Sequence, residues 1–189
     1  VTSGMDSRLN QSGCCLIVLA EWKKKVYDFS KGIRAISSSI RRSIPAFLDS
    51  KIHHNNMLSL VIAKMHANIA GYDAAVMLDE RGFVAELNDT NLFMLKNNKV
   101  YTPFPHACLP GITRGTFMEL LKENSIDIEE RDLTLVEFIN ADLVFATGTN
   151  GEITPVTEME GREIRCDHDF LEKIKNLFET KLPSLCEPL

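Results

Sequence analysis

Leu109-Pro110-Gly111-Ile112-Thr113-Arg114 and Ala146-Thr147-Gly148-Thr149-Asn150-Gly151-Glu152-Ile153-Thr154-Pro155-Val156 are the most informative stretches of this chain. Each is a Gly-Thr turn that can offer backbone N–H groups and a hydroxyl to an anion. The first opens an expected helix over residues 113–124, where unpaired amides and the helix dipole favour a phosphate. An expected strand over residues 143–147 leads into the second. Taken singly, Thr113 is an ordinary helix-start residue and Thr149 an ordinary turn residue. Their weight comes from what stands before them.

Upstream, Gly82-Phe83-Val84-Ala85-Glu86-Leu87 places an acid in an apolar strand. Such an acid either points to water or is paired inside. Further upstream Lys51 stands between an expected strand and an expected helix. A lysine, a strand-borne acid and two anion-binding turns are the parts needed to hold pyridoxal 5'-phosphate. The lysine amine carries the aldehyde, the acid keeps the ring nitrogen protonated, and the amides hold the phosphate. His53 and His54 raise the question of a metal. Adjacent residues on a strand point to opposite faces and no third ligand is near in sequence, so no metal site is expected.

The remaining chain reads as mixed strands and helices. Residues 14–20 (CCLIVLA) form an apolar run of strand length, and residues 21–28 turn polar and basic. Residues 31–48 suggest two strands. Residues 55–70 are the clearest helix, with Met57, Leu58, Val61, Ile62, Met65 and Ile69 at helical spacing, Asn55 or Asn56 as cap and Gly71 as stop. Residues 74–78 and 83–87 are strands around an Asp79-Glu80-Arg81-Gly82 turn. Residues 91–95 and 99–101 form a hairpin around Lys96-Asn97-Asn98. Thr134 and Glu137 fit a capping box for a short helix to Asn140. An amphipathic helix follows over residues 168–182. No strict strand–helix alternation runs through the chain, so an α+β, barrel-like packing is expected rather than a parallel doubly wound sheet.

Composition narrows the function class. The 189 residues can bury a core without disulfide staples. A net charge of −5 argues against a general nucleic-acid binder. Lys23-Lys24-Lys25 and Arg41-Arg42 read as solvated faces. Five cysteines with no CxxC pair suit reduced thiols. There is no apolar run of about 18–20 residues and no signal-peptide pattern, which suits a cytoplasmic protein away from membranes. The chain starts at Val1, and Val1-Thr2-Ser3 reads like the middle of a strand, so a preceding segment is expected.

The order of these blocks resembles the class IV aminotransferases, the fold type IV family that includes branched-chain and D-amino acid aminotransferases and aminodeoxychorismate lyase. Five ordered blocks carry the resemblance: Met77 to Glu86, Thr90-Asn91-Leu92-Phe93, Tyr101-Thr102-Pro103, Leu109 to Arg114, and Thr147 to Val156. It implies a large cofactor domain over residues 32–189 with a barrel-like mixed sheet and flanking helices. Residues 1–22 would be the remnant of a small N-terminal domain and 23–31 the linker. It implies Lys51 as the Schiff-base lysine and Glu86 as partner of the pyridine nitrogen. Ile112, Thr113 and Thr149 would bind the phosphate, and Thr149-Asn150 a substrate carboxylate.

It further implies a homodimer and a transfer of an amino group between an amino acid, of branched-chain or D-amino acid type, and a 2-oxo acid. A β-eliminating lyase and a non-catalytic dimerisation module are the rival readings. The chain departs from the family in four places. An ungapped register back from Ala63-Lys64 puts His53 at the lysine position, whereas Lys51 fits with a small insertion before the helix, and only an amine can carry the aldehyde. Asn56 or Met57 replaces the tyrosine of branched-chain members. Arg165-Cys166-Asp167-His168 replaces a glycine-rich segment. Most of the N-terminal domain, which carries a phosphate-binding arginine, is absent.

Overall fold

The computed structural model describes residues 16–22 and 27–185. Among the described residues thirteen elements follow in chain order: β1 (Ile33–Ser37), α1 (Leu58–Ile69), β2 (Ala74–Leu78), β3 (Val84–Leu87), β4 (Asn91–Lys96), β5 (Lys99–Pro103), α2 (Ile112–Glu123), β6 (Ile128–Arg131), α3 (Leu135–Ile139), β7 (Leu143–Gly148), β8 (Glu152–Met159), β9 (Arg162–Glu163) and α4 (His168–Leu185). The strands form one mixed sheet in the order β3-β2-β1-β8-β7-β4-β5-β6, with β9 on β8. β1 pairs parallel with both β2 and β8, and β5 parallel with β6; the other neighbours are antiparallel.

Strand period explains how the sheet is filled. Successive side chains point to opposite faces. Leu92 and Met94 of β4, Val144 and Ala146 of β7, and Ala74 and Val76 of β2 enter one inner core with Ile33 and Phe138. Their neighbours Phe93, Leu95, Leu143 and Phe145 enter an outer core beneath α2 and α4. In that outer core Phe93 stacks on Phe145 at 5.2 Å, and Phe117 of α2 meets both rings edge-on. A sheet buried on both faces needs nearly continuous apolar strands, which is why residues 143–146 read LVFA.

Most of the expected elements form. The hairpin turns through Asn97 and Asn98, both at positive φ (51° and 62°), the backbone that a two-residue turn of this twist requires. The capping box of Thr134 and Glu137 starts α3. α1 ends at Gly71, whose φ of +80° lets its N–H reach Asn68 while that of Tyr72 reaches Ala67, closing the last turn.

Three expectations differ. α1 starts at Leu58 behind Met57 with no side-chain cap, so neither Asn55 nor Asn56 caps it. Its apolar stripe also faces outward: Leu58, Val61, Met65 and Ile69 are exposed, and only Ala63 and Ala67 are buried, against Ala75 and Met77 of β2. Residues 31–48 contain one strand rather than two. Beyond Ser38 the chain leaves the ladder, and Pro45 has no N–H to give a strand there. Of the strand expected over 14–20, residues 14 and 15 lie outside the described residues, and 16–20 form no strand. Leu16, Ile17, Val18 and Leu19 are exposed, and among the described residues no strand pairs with them. The Lys23-Lys24-Lys25 run also lies outside the described residues.

Candidate active site

Glu86 is the organising residue. It sits in β3, opposite Met77 of β2, and its side chain is only 8% exposed. A carboxyl so deep requires partners, and it has three. The Arg42 guanidinium lies 2.8 Å from Oε1. Asn91 Nδ2 donates to Oε2 at 3.1 Å. The Leu109 backbone N–H is the third donor. Burial pushes the carboxyl up to about 7, opposed by Arg42 and Leu109, while the charge of Asp89 adds to the rise. Beside it, burial holds Cys108 as a neutral thiol, pushed up to about 12.

Arg42 comes from a long connection, residues 38–57, between β1 and α1. Connections of this length without regular structure tend to be functional. It is tied down where its backbone N–H donates to Leu78 and its Nε to Ala107. Further along, Ser50 Oγ donates to the Ser43 carbonyl. The connection, α1 and the β3–β4 turn border an open cavity of about 420 Å³, lined by Glu86 and Leu109 together with His53, His54 and Lys64. Ser50 and Ile52 line it. Lys51 between them does not: its side chain is 45% exposed and its Nζ lies 3.9 Å from Asp49.

The two Gly-Thr turns meet at the first residues of β4. The α2 end is held against that strand by Gly111: a Cβ there would collide with Asn91 Oδ1. Asn91 Nδ2 also donates to the Leu109 carbonyl at 2.9 Å, so one amide fixes Glu86 and the α2 approach together. On the other side Asn91 pairs with Thr147 of β7. The next residue, Gly148, leaves room for Thr90, whose Cγ2 would lie 2.8 Å from a Cβ at 148. Thr149 and Asn150 follow in an exposed turn. Thr113 is half-buried and Ile112 is 89% exposed.

The α2 end is chemically open. Its N-cap, Gly111, makes no side-chain cap bond, and the first turn holds no acid. Unpaired N–H groups at the positive end of a helix favour an anion. Thr147 Oγ1, on the strand that runs into the other turn, is buried without a hydrogen-bond partner. A phosphate-bearing cofactor would use donors of this kind, and the residues present fit it. Among the described residues no group of three or more His, Cys, Asp and Glu could hold a metal ion.

Residues 1–159 match the family described as amino-transferase class IV. Branched-chain-amino-acid aminotransferase-like protein 2 of Arabidopsis thaliana is 52% identical over 164 residues, which make up 87% of this chain and 29% of that protein. The chain belongs to the class IV aminotransferase family. Its fold is shared with solved members. The branched-chain amino acid aminotransferase of Escherichia coli superposes with a TM-score of 0.78 at 31% identity, over 84% of this chain and 54% of that one. The branched-chain amino acid aminotransferase of Thermobaculum terrenum, in its PLP form, superposes with a TM-score of 0.76 at 28% identity, over 80% of this chain and 50% of that one. The chain thus spans less than a third of the Arabidopsis relative and about half of the two structural neighbours.

Seen as a member of this family, the chain carries two site residues that sequence reasoning missed. Arg42 was expected on a solvated face, yet its side chain is 10% exposed and paired with Glu86. The partner lies 44 positions away, so no local pattern announces it. In the sequence Asn91 reads as the first residue of a hairpin strand, with no role in the site. Its signal was present: a lone amide heading the apolar run Leu92-Phe93-Met94-Leu95 is a polar group with no reason to be buried unless it holds something.

Proposed function

We propose that this chain is the cofactor-holding part of a pyridoxal 5'-phosphate-dependent aminotransferase of branched-chain type, which moves an amino group between an amino acid and a 2-oxo acid. The observation that carries the proposal is Glu86, a buried carboxyl held by Arg42, Asn91 and Leu109 beside a helix end left open for an anion. The family membership and the names of its relatives support the same reading.

When bound, pyridoxal 5'-phosphate supplies an aldehyde that takes up amino groups and a ring that accepts electrons. Glu86 would face the ring nitrogen and hold its proton. Ile112 and Thr113, through their backbone amides and the Thr113 hydroxyl, would hold the phosphate together with the Thr149 hydroxyl. The Thr149-Asn150 turn would offer amides to the substrate carboxylate. Lys51 would carry the aldehyde. Once freed by the incoming amino acid, its Nζ would carry the proton from the substrate Cα to the cofactor's aldehyde-derived carbon, and back the other way when a 2-oxo acid takes up the amino group. This requires Lys51 to leave Asp49 and turn toward the cavity that Ser50 and Ile52 already line.

The proposal includes the division into residues 1–22, 23–31 and 32–189, a homodimer, and a cytoplasmic location. The exposed apolar residues of α1, of which Val61 and Met65 also line the cavity, are the kind of surface a second subunit covers. Cys108 and Cys166 are free, as a reducing compartment would keep them.

The test is covalent. The full-length protein is mixed with pyridoxal 5'-phosphate, reduced with borohydride, digested and examined by mass spectrometry. A phosphopyridoxyl label on Lys51, absent from Lys51→Ala together with transamination, is the expected outcome. Full activity in Lys51→Ala, or no label on any lysine, overturns the assignment and leaves the dimerisation module as the better account.

A further inference from the structure

Tyr27 stands just ahead of β1, outside the five blocks that identify the family. Its ring packs against the inner core and faces Gly151, where a Cβ would lie 3.6 Å from Tyr27 Cδ2. Its hydroxyl donates to Asp89, at 3.1 Å from Oδ2 and 3.4 Å from Oδ1. Asp89 belongs to the turn between β3 and β4 and lines the same cavity as Glu86. Gly151 belongs to the turn between β7 and β8, which carries Thr149 and Asn150. One side chain from a third segment therefore touches both turns that border the candidate site.

Each turn has its own bonds, Asn88 with the Ala75 backbone and the Gly151 carbonyl with Thr154 Oγ1, but the strand ladder does not join one turn to the other. The β4–β7 ladder ends at the pair Asn91 and Thr147, so residues 88–90 and 149–151 lie beyond its last rung. Thr90 against Gly148 is the first contact past that rung. Tyr27 supplies the next. Burial and the neighbouring Asp89 carboxylate both raise the phenol above its ordinary range. The hydroxyl therefore stays protonated, as a donor to Asp89 must.

We propose that Tyr27 is a positioning residue that clips the β3–β4 turn to the β7–β8 turn, and so fixes where Thr149 and Asn150 present their donors relative to Glu86. The clip itself stands on contacts within this chain. Only its consequence for substrate rests on the aminotransferase reading.

Hydrogen exchange followed by mass spectrometry on the full-length protein separates the two. Tyr27→Phe keeps the ring on Gly151 and loses the bond to Asp89. Exchange in the peptide spanning residues 88–90 should accelerate, while that spanning 149–152 stays as in the wild type. Tyr27→Ala loses both contacts, and both peptides should exchange at least roughly tenfold faster, with the interior of β4 and β7 unchanged. In the pyridoxal 5'-phosphate-loaded enzyme Tyr27→Ala should raise KM for the amino acid several-fold and leave kcat nearly constant, as lost positioning in the bound state predicts. Unchanged exchange at both turns overturns the proposal. So does uniform acceleration across the sheet, which would mark Tyr27 as a general stabilising residue. If Tyr27→Ala does not fold, the selective response of Tyr27→Phe still decides the matter. A selective exchange pattern in a protein that does not transaminate would keep the clip and discard the function.

Discussion

Two helices of this molecule begin in opposite ways. The five-residue α3 starts with a complete capping box: Thr134 Oγ1 accepts the Glu137 N–H, and Glu137 Oε2 accepts the Thr134 N–H at 2.9 Å. The twelve-residue α2 starts at Gly111 with no side-chain cap bond and no acid in its first turn. A longer helix has more dipole to answer and the same number of unpaired amides, so local stability alone would favour capping α2 as well. Position explains the difference. α3 closes the inner core with Phe138, and its own residues satisfy its end. The start of α2 stands beside Asn91 and Glu86, and its donors are left for a ligand. α2 is secured further along instead, where buried Arg114 donates to Pro103 and pairs with Glu130 at 2.6 Å, and where Phe117 enters the outer core.

The sharpest way to break this contrast is Gly111→Ala. Gly111 has φ −59° and ψ 143°, which alanine adopts freely, so the backbone contributes no strain. The new methyl would collide with Asn91 Oδ1. Asn91 cannot turn away without loosening its bonds to Glu86 and Leu109. Overpacking of this kind costs about 1–3 kcal/mol, and urea denaturation should register it. Affinity for pyridoxal 5'-phosphate, followed by absorbance titration, should fall by at least roughly tenfold, because the acid and the anion site move together. Unchanged affinity in a folded Gly111→Ala protein would mean that the α2 end and Glu86 are independent.

The same contrast shows what the sequence could reveal. The α3 box was legible because both partners lie within four residues and local hydrogen bonds fix their spacing. The hairpin at Asn97-Asn98 was legible for the same reason. The strands β4 and β7 were legible as apolar runs, although that both their faces are buried emerges only from the fold. What escaped depends on distant partners. Arg42 looked like a surface charge because Glu86 enters its surroundings only once β1 and β2 lie side by side. The apolar stripe of α1 was visible, but periodicity does not say which face is covered, and here alanines rather than the larger residues pack inward. β6 went unnoticed because none of its residues is fully buried. Of the expected site residues, Glu86 stands inside the cavity, Ile112, Thr113, Thr149 and Asn150 flank the start of β4, and Lys51 faces Asp49. Five of the six stand on or beside regular elements. Lys51 belongs to the long connection, whose path no local pattern determines.

A smaller effect should separate the two helix starts by sign. Ile112 is 89% exposed, so Ile112→Glu removes no core contact. It places at α2 the first-turn acid that α3 already has. Stability without ligand should hold or rise by about 0.3–1 kcal/mol. Affinity for pyridoxal 5'-phosphate should fall by roughly tenfold, since a carboxylate would then stand where a phosphate is expected. The affinity loss should weaken as salt is added. Equal affinity in wild type and variant would remove the anion site from this end of α2.

Thr134→Ala should give the smallest and most local change. It removes the Oγ1 that accepts the Glu137 N–H, while the Thr134 backbone N–H can still donate to Glu137, at a typical cost of about 1 kcal/mol, read as a shift in the urea midpoint. Glu137 keeps its ion pair with Arg131 at 2.8 Å, which limits the damage. Cofactor affinity should stay within about twofold of wild type, under 0.5 kcal/mol. One path connects this corner to the site: the Leu133 carbonyl, next to Thr134, accepts the Val84 N–H at 2.8 Å, and Val84 begins the strand that carries Glu86. If Thr134→Ala weakened cofactor binding in proportion to its loss of stability, that strand would be transmitting strain. The closed end of α3 would then serve the site as well as the core, and the division of labour between the two helix starts would fail.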